Sequence, residues 1–159
     1  MEILEQEFTD LVRQYKKTIF TVCYFFSDKR EEVDDMFQEV LIRLWKGYPK
    51  FRKESDVKTW IWRVSLNTCN NIKRSADRRI KADMLSLDID MSDESIEGSK
   101  QTRMLYQRIS RLDLFDRAVI LLWLDNMSYD EIALITGLTP SAITNRLFRI
   151  KEQLKSMSD

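Results

Sequence analysis

Apolar positions recur three and four apart over much of the chain, and their phase predicts helices. Phe8, Leu11, Val12, Tyr15, Ile19, Val22 and Phe26 predict a first helix, or a broken pair, over about residues 5–26. Ser27 and Asp28 offer a break. A second helix turns Val33, Phe37, Val40, Leu41 and Leu44 inward and leaves Asp35, Gln38, Glu39 and Arg43 largely outward, with Gly47, Tyr48 and Pro49 expected to end it. A third runs from about Asp56 to Arg79 through the dense string Trp60–Asn67, which carries apolar residues on more than one face. Trp60, Ile61 and Val64 are assigned to the core, and the pattern leaves Trp62 open. Residues 84–98 lack helical periodicity. Beyond them, helices are expected over about Ser99–Ser110 and Leu114–Leu124, the second apolar nearly all round and therefore central, with Asn126 closing it.

The segment from Ser128 to Ile150 reads as two short helices joined by a glycine turn. Ser128 and Glu131 have the spacing of a capping box, and Met127 and Ile132 that of a hydrophobic staple. Gly137 can take the positive φ of a helix end; Thr139 caps the next helix and Pro140 occupies its first turn. On that second helix Ile143, Leu147, Ile150 and Leu154 form a buried stripe. The opposite face presents Ser141, Thr144, Asn145, Phe148 and Arg149, with Arg146 beside them as a further cation for duplex DNA. Hydroxyl, amide and guanidinium groups on such a helix reach base edges in the major groove, and an aromatic ring can touch a thymine methyl. An ordinary packed helical hairpin has the same layout.

Composition narrows the fold. With Gly 3 and Pro 2 in 159 residues, the chain is expected to be all-α: two small helical domains joined by a flexible acidic linker, the second ending in the helix-turn-helix. The domains are placed at residues 1–82 and 99–159, with residues 83–98 between them. The formal net charge of +0 averages unlike blocks: residues 51–82 carry 9 basic and 3 acidic side chains, residues 83–98 carry 0 and 6. A basic block beside an acidic one suggests a phosphate-facing surface next to a segment that avoids or imitates DNA. A solvated linker has the same composition as the acidic block. Cys23 and Cys69, without a single histidine, are too few for a zinc cluster or a disulfide scaffold and are expected as buried apolar residues in a reducing compartment. No leader pattern and no membrane span are visible, so a cytoplasmic protein without membrane insertion is expected.

Three separated stretches together resemble the extracytoplasmic-function (ECF) branch of bacterial sigma factors: Asp34–Trp45 (DDMFQEVLIRLW), Lys58–Arg74 (KTWIWRVSLNTCNNIKR) and the helix-turn-helix. The resemblance covers nearly all of the chain except the linker. It implies that the first stretch grips core RNA polymerase through Asp35, Gln38, Glu39 and Arg43, whose bland counterpart is a solvated face. It implies that the second melts promoter DNA. Asn67 matches the family position that contacts a flipped base, in a pocket walled by residues 47–55. Lys58, Arg63, Lys73 and Arg74 would hold phosphates, and Trp62 and Asn70 complete the melted-strand set, although family members often carry lysine at the Asn70 position. Aromatics, amides and cations are the mix that holds unstacked bases along a single strand. Where the family commonly has proline after the leucine at the Leu112 position, Asp113 stands here and can cap the following helix.

The resemblance implies a sigma factor that reads one promoter element as duplex and captures another as melted strand. Its implied partners are core RNA polymerase, promoter DNA and an anti-sigma protein. No cofactor, metal or enzymatic activity is expected. A stand-alone helix-turn-helix regulator is the alternative, but it would leave the faces around Gln38 and Asn67 without a task. A DNA-acting enzyme would need a nucleophile setting or a metal-binding carboxylate cluster, and neither is evident.

Overall fold

The computed structural model describes residues 2–27, 29–51, 56–74 and 99–157, and all regular structure among them is α-helical. The chain divides into two compact units, Met1–Glu94 and Ser95–Asp159.

The first unit contains α1 (Glu2–Phe26), α2 (Arg30–Phe51) and α3 (Val57–Arg74), each packed against the other two. Phe8, Val12, Ile19, Val22 and Cys23 of α1 meet Val33, Met36, Phe37, Val40, Leu41 and Leu44 of α2, and Ile61, Trp62, Leu66 and Cys69 of α3 close the core. Each such side chain contributes about 1.5–3 kcal/mol relative to an exposed one, which is how three helices can hold together without a disulfide. Cys23 and Cys69 are free and buried, their Sγ atoms 3.8 Å apart, and burial pushes the Cys23 thiol well above its ordinary range.

Two expectations are corrected in this unit. α2 does not stop at Gly47 but continues through Pro49 to Phe51. Proline deprives the last turn of a hydrogen bond, and aromatic packing offsets that loss. Phe8 lies against Trp45 and Tyr48, with centroids 5.0 and 5.4 Å apart, Tyr48 faces Trp60 at 6.4 Å, and Phe51 stacks on Trp60 at 4.5 Å and 18°. The phase of α3 also differs from the reading of its apolar string. Ile61, Trp62, Ser65, Leu66, Thr68 and Cys69 form its buried side, while Trp60 and Val64 are half-buried at the margin. Trp62 is 2% exposed, so its ring belongs to the core and is removed from the melted-strand set. The predicted extension of this helix to Arg79 lies outside the described residues, as do Asp28, residues 52–55 and the whole acidic segment 83–98.

The second unit contains α4 (Lys100–Ile109), α5 (Leu114–Leu124), α6 (Tyr129–Thr136) and α7 (Pro140–Ser156). Five successive residues of α5, Ala118–Leu122, are buried, as expected of a helix surrounded by its neighbours. α7 packs on α4, α5 and α6 through Ile143, Leu147, Ile150 and Leu154. Every junction has a local cause. Ser99 accepts from the Thr102 N–H and Asp113 from the Asp116 N–H, at 3.2 and 2.8 Å. Asn126 takes φ 64 after α5. The Arg117 guanidinium donates to the carbonyls of Leu112 and Ser110, which binds the α4–α5 turn to the helix that follows it.

Candidate nucleic-acid interface

The helix-turn-helix forms from the residues that its local chemistry singles out. Ser128 Oγ accepts from the Glu131 N–H at 3.1 Å while Glu131 Oε1 accepts from the Ser128 N–H at 2.9 Å, completing the capping box. Met127 and Ile132, the staple pair, are both buried. Gly137 ends α6 at φ 83, where a side chain would be strained, and Thr139 caps α7 with Pro140 in its first turn. The buried stripe of α7 turns Ser141, Thr144, Asn145, Phe148 and Arg149 outward, and all five are exposed. Phe148 is 67% exposed, a position at which an aromatic ring contributes little to the fold.

Arg146 is held differently from the residues of this face. Its Nη1 donates to Asp116 Oδ1 at 2.8 Å and its guanidinium lies 4.7 Å from the centroid of the Phe115 ring. Both partners come from α5, so Arg146 fixes the rotation of α7 on its support. Lys151 does similar work one turn later, its Nζ 3.9 Å from the centroid of the Trp123 ring.

In the first unit, the side of α3 opposite its buried stripe carries Asn67, Asn71 and Arg74, all exposed, with Arg63 and Asn70 half-buried beside them; Lys58, also half-buried, stands in the first turn on a different side of the helix. Asn71 escaped the sequence reading. It lies one helical turn beyond Asn67, and that spacing was the available signal. Lys73 is different again, because its Nζ donates to Glu32 Oε1 of α2 at 3.0 Å.

On α2, Asp35 and Gln38 are exposed and Glu39 and Arg43 half-buried, at spacings that put the four along one polar strip. Arg43 Nε is buried without a hydrogen-bond partner. Near the end of this helix the Tyr48 hydroxyl donates to Glu7 Oε2 at 3.4 Å, and its pKa is raised by burial and by the Glu7 carboxylate. Among the described residues no group of three His, Cys, Asp or Glu could hold a metal ion, and no helix is long and apolar enough to cross a membrane.

Comparison with known proteins agrees with this arrangement. Residues 11–79 match the family model of sigma-70 region 2, and residues 102–154 that of sigma-70, region 4. The ECF RNA polymerase sigma-E factor of Haemophilus influenzae is 25% identical over 96% of this chain and 87% of its own length. The ECF RNA polymerase sigma factor SigW of Bacillus subtilis is 24% identical over 95% and 88%. Among solved structures, the sigma factor RpoE in complex with the anti-sigma factor NepR from Bartonella quintana shares the fold, with a TM-score of 0.71, 20% identity and coverage of 98% of this chain and 96% of that one. CnrH in complex with the cytosolic domain of CnrY shares it at a TM-score of 0.66 and 20% identity, over 97% and 94% of the two chains. With regions 2 and 4 in order and full-length relatives of one kind, the chain belongs to the ECF branch of the sigma-70 family: it is a non-enzymatic RNA polymerase subunit that directs promoter recognition and transcription initiation.

Proposed function

We propose a division of labour between the two units. Residues 1–82 hold core polymerase and the melted strand, residues 83–98 connect, and residues 99–159 read the upstream element as duplex. Asp35, Gln38, Glu39 and Arg43 form the polymerase-facing strip. Asn67 receives an extruded base, Asn70 and Asn71 flank it, and Lys58, Arg63, Lys73 and Arg74 follow the phosphates. Ser141, Thr144, Asn145, Phe148 and Arg149 enter the major groove. The protein acts in the cytoplasm, where polymerase is. An anti-sigma protein restrains it, as the anti-sigma factor NepR is bound to the sigma factor RpoE in one of the similar structures.

The outward face of α3 carries this reading. Exposed amides and a guanidinium lie along one side of a helix whose other side is buried, so the packing among the described residues makes no use of them. Opening a duplex without ATP requires that an unstacked base gain about as much from the protein as it loses from the stack, and amide hydrogen bonds in a sheltered site supply part of that gain. Asn67→Ala, assayed with core polymerase, is expected to slow open-complex formation about tenfold and to flatten base choice at one position of the downstream element. Unchanged melting and unchanged base choice would remove Asn67 from the site.

A further inference from the structure

Of the cations assigned to the melted strand, Lys73 is held by a carboxylate from another helix. The pair joins the last turn of α3 to the first turn of α2, across 41 residues of sequence. Its side chains are 23% and 21% exposed, against 46% and 63% for the surface pair Arg13–Asp10. Water therefore screens it less, and a competitor for Lys73 must displace a carboxylate at a normal hydrogen-bond distance. An ammonium offers donors only, and carboxylate and phosphate oxygens compete for them in the same way.

We propose that Glu32 is a built-in stand-in for a strand phosphate, holding Lys73 in position and taxing every single strand that reaches α3, so that only a strand also held by base contacts displaces it. The inference rests on the assignment of Lys73 to the melted strand. It gives Glu32 a part in keeping arbitrary strands off α3: the cost is common to all strands, and one that makes phosphate contacts alone is left too weakly bound to be held. Lys73 has an anion beside it before and after, so the pair exchanges one anion for another when the strand arrives.

The test uses the protein bound to core polymerase and a fork-shaped oligonucleotide whose downstream element is single-stranded, titrated across a range of salt. Glu31 provides the control, because it lies beside Glu32 in the same first turn of α2 and is exposed. Glu31→Gln makes the same change in net charge and in the helix-end field. Glu32→Gln is expected to tighten strand binding about two- to fivefold at moderate salt. It should also steepen the salt dependence by roughly 0.7 in slope, as one more phosphate contact forms at full strength. The gain should be a similar factor for a scrambled strand and for the cognate one, because both meet the same cost. Glu31→Gln should produce less than half of the gain, and Glu32→Gln should add nothing in a Lys73→Gln background. Glu32→Asp keeps the charge but draws the carboxylate back by one methylene, and should give part of the gain with net charge unaltered. It also serves should Glu32→Gln disturb the fold. Equal gains from Glu31→Gln and Glu32→Gln would overturn the inference, as would no gain from Glu32→Gln and Glu32→Asp while Lys73→Gln weakens binding. In both cases Lys73 remains a strand ligand. If Lys73→Gln changes neither affinity nor salt slope, the assignment of Lys73 to the strand fails, and the inference with it.

Discussion

Trp62→Ala is expected to destabilise the first unit by about 3–5 kcal/mol, against about 1–2 kcal/mol for Trp60→Ala. Trp62 is 2% exposed and packed on the buried side of α3, so truncation leaves a cavity among three helices that cannot all close on it. Trp60 is half-buried, and its main loss is the stack on Phe51, a tilted contact with Tyr48 and the apolar area these cover. A small domain has about 5–15 kcal/mol of stability in all, so the first replacement consumes a large share of it and the second does not. Urea unfolding followed by circular dichroism checks the order, with the transition of the second unit as internal reference. Equal costs, or a larger cost at Trp60, would show that α3 is turned well away from the orientation described, the two rings lying about 160° apart around the helix.

Replacing Asn145 and Arg149 together with alanine is expected to reduce the preference for the cognate upstream element over a scrambled one by about 30-fold or more. Each good base-edge contact supplies ~1–3 kcal/mol of discrimination, and two at the lower end already reach that figure. Both side chains are exposed on α7, so the fold should change by no more than ~0.5 kcal/mol. Competition between the two templates in one transcription reaction measures the ratio directly. A preserved ratio would take this face out of contact with the bases. With about four phosphate contacts from one small domain, the salt slope on duplex DNA should be only about −3.6, so the double variant is best compared in the polymerase-bound state.

Much of the second unit could be read from its sequence because its punctuation is local. Ser128 with Glu131, Gly137, Thr139 with Pro140, Asp113 and Asn126 each act within four residues of themselves, and the structure uses all of them as expected. Where the deciding partner is distant, the sequence is silent. The ion pair of Arg146 with Asp116, 30 residues away, and that of Lys73 with Glu32, 41 residues away, leave no local trace in the sequence. Trp60 and Trp62, about 160° apart on α3, are equally apolar, and only the placement of α1 and α2 decides which one is buried. Pro49 signals a helix end by propensity, and the aromatic contacts of Tyr48 and Phe51 overrule it. The outward placement of Asn67, by contrast, follows directly once that phase is known.

This chain directs core polymerase to promoters, and that activity is open to direct measurement. The most direct measurement mixes the purified protein with bacterial core RNA polymerase, follows association, and reads run-off transcripts from a library of promoter fragments. A stable complex is expected, with transcripts from a subset of fragments sharing two spaced elements and weak, salt-sensitive duplex binding by the protein alone. No association with polymerase, together with tight sequence-specific duplex binding by the free chain, would contradict it.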